Sequence, residues 1–311
     1  MSDLLSFGHR SILGATALWN SCYGPQFHVS AQIMALNTIR SPGFWAEASW
    51  YASDDSAFIV CKHSSTFQGA GEHGFISALA FSDRNSAVQL VQQALQQFSE
   101  FGVSVVSFGQ DLNHFLPGCP TTCNDVVSVL AEGGFTRGSV VHDLERDLTT
   151  YEPRFSDYAI EVRWCQPEDE ECLMTFLHRE FSGRWPYDVS RKAKIEGGHD
   201  FVLGMFEGGE CIGFVVLQKF DADSYPIGGA VWQEALGPQW CTLGPIGVAT
   251  RVRGQGLGDH LLSRGLDLLK RLGARQCLID WTGIPEFYER HGFRITRSYV
   301  TMRAVTSILP K

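Results

Sequence analysis

The segment richest in chemical possibility is Arg251-Val252-Arg253-Gly254-Gln255-Gly256-Leu257-Gly258-Asp259. It follows the apolar run Leu243-Gly244-Pro245-Ile246-Gly247-Val248. It opens a stretch, Leu257 to Leu272, in which Leu261, Leu262, Leu268, Leu269 and Leu272 recur at helical spacing. A strand that turns through glycines straight into a helix exposes several backbone N–H groups at the helix start, where the macrodipole adds positive potential. Glycines also let the backbone take positive φ and approach a bulky anion closely. The predicted chemistry is capture of a phosphorylated ligand. A tight connection that binds nothing is the alternative, disfavoured by three glycines in five residues beside two arginines. A Walker loop would need Gly-Lys-Ser/Thr, which is absent, and a dinucleotide fingerprint would need glycine where Asp259 stands. Between Arg251 and Arg275, six Arg or Lys face only Asp259 and Asp267, a local excess of positive charge in a chain of net charge −9.

A second loaded stretch follows the predicted helix: Gln276-Cys277-Leu278-Ile279-Asp280, a strand, then Phe287-Tyr288-Glu289-Arg290-His291-Gly292-Phe293. The loop Arg253 to Gly258 resembles the pyrophosphate loop of the GNAT superfamily of N-acetyltransferases, R/Q-x-x-G-x-G/A. The later stretch resembles that family's F/L-Y-E-x-x-G-F. Both occur in order, about 30 residues apart, with a helix and a strand between them, and the resemblance covers roughly Asp157 to Arg303. It implies acetyl-CoA as cosubstrate and no metal. By the same resemblance, Arg253, Gly254, Gln255, Gly256, Leu257 and Gly258 would hold the pyrophosphate, and the backbone of Ile246, Gly247 and Val248 would pair with the pantetheine arm. Tyr288 would sit near the thioester sulfur. Acetyl transfer to an amine needs a neutral nitrogen, a polarised thioester and a proton for the departing thiolate. Tyr288 is therefore the candidate acid, and the N–H groups from Ile246 to Val248 the oxyanion donors. Asp280 is the candidate base, acting through water; a helix cap near Thr282 and Gly283 is its alternative role. Glu234 and Asp221 are further candidates for the base. Trp281 stands where the family often carries an Asn.

For the acceptor, Ser182-Gly183-Arg184-Trp185-Pro186-Tyr187-Asp188 reads as a loop between helices, and Trp185, Tyr187 and Asp188 suit a cationic, ring-shaped amine. Asp221 to Tyr225, with Trp232, is a second candidate surface. The tandem arrangement and Asp280-Trp281-Thr282-Gly283 are similar to bacterial glucosamine/glucosaminide N-acetyltransferases, and to GNAT domains fused to β-N-acetylglucosaminidases. Glucosamine or a glucosaminide is the acceptor this implies; a protein lysine or N-terminus is the rival substrate. A non-catalytic acetyl-CoA sensor is the rival from another class.

The elements that must position these residues repeat. Phe201 to Phe206 and Cys211 to Leu217, joined by Glu207-Gly208-Gly209-Glu210, read as a hairpin of buried strands. Phe58 to Cys61 and Phe75 to Leu79 form a looser counterpart, followed by a helical pattern from Ser86 to Phe98 and the strand Val103 to Val106. Gly134-Phe135 and Gly292-Phe293 close the two halves about one domain apart. The expected fold is therefore α/β: two tandem GNAT-like domains, each a mixed, mostly antiparallel sheet flanked by helices. Residues 1–152 would be a degenerate copy and 153–311 the catalytic one, because Leu130 stands in the place of Tyr288 and Ser82-Asp83-Arg84-Asn85-Ser86 has no glycine loop. The negative net charge argues against nucleic acid as a partner. Apolar runs stay far short of the roughly 20 residues of a membrane span, and Met1-Ser2-Asp3 opens no signal peptide, so a cytoplasmic location is expected. Nine scattered cysteines suit reduced thiols, and Cys119, Cys123 and His114 do not make a zinc motif.

Overall fold

Apolar runs become strands and helical-period runs become helices in a computed structural model that describes residues 4–64, 73–154, 158–195, 201–220 and 230–306. The chain divides into two units, Met1–His142 with Arg297–Lys311, and Asp143–Thr296.

The first unit contains β1 (Leu4–Ser6), α1 (Ile12–Tyr23), α2 (Ala31–Asn37), β2 (Trp50–Ala52), β3 (Ala57–Ser64), β4 (His73–Phe81), α3 (Arg84–Phe101), β5 (Val105–Phe108), β6 (Cys119–Pro120), α4 (Asn124–Glu132) and the start of β7 (Thr136–Asp147). Its strands run in the order β1-β2-β3-β4-β5. The β4–β5 pair is parallel and the others are antiparallel. Helix α3 buries Ala87, Leu90, Val91, Ala94 and Phe98, the stripe its period predicts. Its first turn is closed by Asp83, whose carboxylate accepts the Ser86 N–H at 2.8 Å. Beneath the sheet lies a buried ion pair between Lys62 and Asp111, to which Ser77 donates its hydroxyl at 2.9 Å.

The second unit continues β7 and adds β8 (Glu161–Trp164), α5 (Glu170–Glu180), α6 (Trp185–Ile195), β9 (Val202–Glu207), β10 (Glu210–Lys219), α7 (Gln233–Leu236), β11 (Trp240–Val248), α8 (Leu257–Arg271), β12 (Gln276–Thr282) and α9 (Pro285–Glu289). Strand order is β8-β9-β10-β11-β12-β7. The hairpin β9–β10 turns through Gly208 (φ +58) and Gly209 (φ +83), as a two-residue turn with both central residues at positive φ demands. Strand β11 pairs antiparallel with β10, and Gly244-Pro245 forms a bulge opposite Val216, because the register passes from Leu217↔Leu243 to Val215↔Ile246. On its other side β11 pairs parallel with β12 only from Trp240↔Gln276 to Thr242↔Leu278. Both strands run on past that point, so they part. Helix α8 packs on β10 and β11 and buries Leu257, Leu261, Leu262, Leu266 and Leu269, each burial worth roughly 1.5–3 kcal/mol.

The unit boundaries differ from the single cut expected after residue 152. Gly134-Phe135 leads into β7 and Gly292-Phe293 into β13 (Arg294–Val305), each an uninterrupted strand of 12 residues. From Arg297 onward β13 belongs to the first unit, pairing Met302↔Phe108 through Val305↔Val105 with β5. From Asp143 onward β7 belongs to the second: Glu145 accepts from the Gln276 amide at 3.2 Å and the Thr296 hydroxyl at 3.1 Å. The closing strand of each half thus serves the other unit. Alternation marks a strand but not the sheet it joins.

No helix among the described residues is long and apolar enough to cross a membrane. The nine cysteines are free thiols, and among the described residues no group of three His, Cys, Asp or Glu is placed to hold a metal ion.

Candidate active site

Two parallel strands that part after a shared register deliver their C-terminal ends to the same end of the sheet. At the end of β11, Ile246, Gly247 and Val248 are half-buried, with one edge on β10 and the other turned toward the gap left by β12. Phe181 and Trp185, whose rings lie 4.7 Å apart, pack over Gly247 so closely that any side chain there would collide with them. Past β11 the chain makes one 3-10 turn, Thr250–Val252, and enters the glycine loop.

That loop is open. Arg253, Gly254, Gln255 and Gly256 are exposed, and no atom lies within 4 Å of where a Cβ on Gly254 would be. Gly254 and Gly256 sit at φ +76 and +81, and Gly256 is the N-cap of α8 with no side chain closing the first turn. The first helical bond runs from the His260 N–H to the Gly256 carbonyl at 3.0 Å, so the N–H groups before it receive no capping side chain. The contrast with α3, sealed by Asp83, is direct. A phosphate-bearing ligand such as acetyl-CoA fits this end on geometry: bare donors, no Cβ in the way and a helix dipole behind them. Tyr158 braces the loop by donating to the Gln255 carbonyl at 2.7 Å. Part of the local positive charge, however, is engaged within the protein. Arg251 pairs with Glu207 and Glu210 at 2.9 and 3.1 Å, Arg271 with Asp267 at 2.9 Å, and Lys270 donates to the Thr149 and Tyr151 carbonyls at 3.0 and 2.7 Å. Arg253, exposed beside the loop, donates through Nε to the Val248 carbonyl at 3.3 Å.

At the end of β12 stand Asp280, Trp281 and Thr282. The turn into α9 is held by Thr282, whose hydroxyl oxygen accepts the Ile284 N–H at 3.1 Å, and no side chain caps the helix itself. Tyr288 on α9 is 7% exposed. Burial pushes its hydroxyl well above the ordinary tyrosine range, the Asp280 charge pushes it further, and a hydrogen bond with Thr282 opposes both. Tyr288 thus keeps its proton at neutral pH within the field of the Asp280 carboxylate. Phe287, one residue earlier, lies 3.5 Å from where a Cβ on Gly258 would sit, so α9 touches the start of α8.

The proposed acceptor residues are placed differently from the reading of a loop. Trp185, Tyr187 and Asp188 lie in the first turn of α6. Asp188 is buried, and Arg184 donates to it through Nε at 2.6 Å, so its charge is met inside the chain. Arg184 in turn lies over the Trp281 ring at 5.1 Å. Tyr187 is half-buried, and Glu234 is exposed on α7. Asp221 to Tyr225 lie outside the described residues.

Residues 158–293 match the Acetyltransferase (GNAT) family. That stretch of the chain belongs to the GNAT family. Over 145 residues the chain is 26% identical to the mycothiol acetyltransferase of Corynebacterium glutamicum (strain R), covering 45% of this chain and 43% of that protein. Among solved structures, the glucosamine N-acetyltransferase region of a fungal multi-domain GH3 β-N-acetylglucosaminidase superposes with a TM-score of 0.87 at 20% identity, over 97% of this chain and 38% of that one. A tandem GNAT protein from the clavulanic acid biosynthesis pathway superposes at 0.69 with 12% identity, over 100% of both chains. The chain spans less than half the length of the first two. Its fold is that of two tandem GNAT-like domains, each a mixed, mostly antiparallel sheet flanked by helices.

Three side chains of the GNAT unit escaped the sequence reading: Tyr158 under the loop, Arg184 on Trp281, and Asp143. Asp143 accepts the Trp281 N–H and the Trp232 indole N–H, each at 3.2 Å. A signal for Asp143 was present. In the alternating run Val140 to Leu144, Val141 and Asp143 share one face, and both are buried. A charged residue at an inward position of a strand is unusual enough to mark.

Proposed function

We propose that this chain is an acetyl-CoA-dependent N-acetyltransferase of primary amines, with glucosamine or a glucosaminide as its acceptor. The observation that carries the reading is the parting of β11 and β12, which brings an uncapped glycine loop and the Asp280–Tyr288 pair to one end of a single sheet. Acetyl-CoA, when bound, supplies the thioester that the amine attacks. The amides of Gly254, Gln255, Gly256, Leu257 and Gly258, with Arg253 beside them, hold the anionic part of the cosubstrate. The free edge of Ile246, Gly247 and Val248 aligns its arm and offers N–H donors to the carbonyl oxygen. Asp280 takes the proton of the incoming ammonium through water, and Tyr288 holds on its Oη the proton that the departing sulfur needs.

The amino-sugar acceptor is supported by the Asp280-Trp281-Thr282-Gly283 sequence and by the fold shared with a glucosamine N-acetyltransferase region. Chemistry leans the same way. A lysine amine must lose its proton at a cost of roughly 4–5 kcal/mol at pH 7, and a less basic sugar amine needs less from the base. With Asp188 tied to Arg184, amine recognition falls to Asp280, and Trp185 and Tyr187 contribute aromatic surface. The first unit is read as a degenerate copy, because Asp83 already occupies the donors at the start of α3. A small-molecule amine as partner and a cytoplasmic location belong to the same reading. The test is an acceptor screen with acetyl-CoA and thiol detection over amino sugars, aminoglycosides, polyamines and peptides. Steady thiol release with glucosamine or its oligomers is expected. Release with peptides alone would reassign the acceptor, and acetyl-CoA binding without release on any amine would make the chain a sensor.

A further inference from the structure

Asp143 opens the second unit with 1% exposure, yet it is a carboxylate. A carboxylate leaves water only at a large cost, so one buried to this degree has its oxygens met by donors. Oδ1 accepts the backbone N–H of Trp281, 138 positions along the chain, and Oδ2 accepts the Trp232 indole N–H. Trp281 has φ +48, a left-handed conformation that a bulky side chain rarely adopts and that persists only where its surroundings over-determine it. Its N–H is fixed by Asp143, and its ring is covered by Arg184, itself held by Asp188. Trp281 stands between Asp280 and Thr282, so a change in its backbone re-aims both.

We propose that Asp143 is a positioning residue for the acyl-transfer site. It clamps Trp281 in the left-handed region, and through that one residue sets the direction of Asp280 and the place of Thr282 beside Tyr288. The proposal rests on the reading of Asp280 as the base, and its test separates the two.

The experiment uses the full chain. Asp143→Asn keeps the side-chain size but turns one acceptor into a donor facing an N–H. A displacement of about 1 Å at the reacting groups corresponds to a loss of roughly 10²-fold in kcat. That loss is expected with the acetyl-CoA Kd by calorimetry changed less than about twofold, as the site count fixes the folded fraction. An unchanged kcat per binding site would mark Asp143 as merely structural and overturn the proposal. Trp281→Gly supplies the second arm, because glycine holds positive φ without a clamp. In that background Asp143→Asn should cost kcat little more, under about threefold by the logic of a double-mutant cycle. The full penalty there, or failure of the double variant to fold, would overturn it. A crystal structure of Asp143→Asn needs no activity: residue 281 is expected to leave positive φ, and its retention there would overturn the clamp. If Asp280→Asn leaves the rate intact while residue 281 moves in Asp143→Asn, the base is elsewhere and the clamp stands. If Asp280→Asn abolishes transfer and Asp143→Asn does not affect it, the clamp alone fails.

Discussion

Proton positions decide the chemistry at the level of single residues. Tyr288 lies buried in the field of the Asp280 carboxylate, and both burial and that charge raise its pKa. A raised pKa means the proton is kept as pH climbs. Loss of rate through ionisation of this tyrosine therefore begins only above the ordinary value of about 10, and kcat should stay level from neutral pH to roughly that point. Tyr288→Phe is expected to lower kcat by roughly 10²-fold with little change in acetyl-CoA affinity, and stopped assays with thiol detection would read it. A wild-type alkaline limb near pH 8 that survives in Tyr288→Phe would show that another group supplies the proton. For Asp280→Asn the expectation is a fall in kcat/KM of roughly 10²-fold or more. An undiminished value would pass the role of base to exposed Glu234.

On the scale of elements, the start of α8 does what a capped helix cannot. Gly256 carries the turn at φ +81, and a Cβ there would come within 2.5 Å of the Tyr158 hydroxyl. Gly256→Val therefore strains the backbone by roughly 1–2 kcal/mol and displaces the Tyr158 brace, besides filling space at the loop. Calorimetry should detect no acetyl-CoA binding to this variant, with the far-UV spectrum close to that of the native chain. Unchanged affinity would remove the loop from the site. The same comparison explains why two similar helices differ: the side chain of Asp83 satisfies in α3 what remains available in α8. Sequence proximity cannot reveal that Glu207 and Glu210 come back to meet Arg251.

For the whole molecule the exchange of closing strands has a practical result. A fragment from Pro153 to Lys311 lacks Leu144, Leu148 and Tyr151, which are buried in the core of the second unit, and also Asp143. It retains instead Tyr299, Val300, Met302 and Ala304, which are buried as part of the first unit. Losing three large side chains removes roughly 5–9 kcal/mol of apolar burial, comparable to the stability of an ordinary domain. The fragment should be insoluble or unfold without a cooperative transition, measured by gel filtration and thermal melts. A cooperatively folded fragment with native acetyl-CoA affinity would show that the strand exchange contributes little.

Local patterns were enough to locate the hairpin at Gly208-Gly209, the helices α3 and α8, the glycine loop and the Tyr288 segment. Each of these depends on neighbours in the chain: two-residue turn chemistry, a 3.6-residue period, or glycines ahead of an amphipathic run. Even the repeat of one fold in the two halves was legible, since repeated element order is itself a sequence property. Charge partners, strand ownership and backbone aim were not. Arg251 meets Glu207 and Glu210 from 44 and 41 positions away, β7 and β13 each change unit midway, and Asp143 reaches Trp281 from 138 positions away. Such contacts form only after the chain has collapsed. Local spacing carries no record of which distant donor will meet a buried carboxylate, and that choice belongs to the tertiary structure.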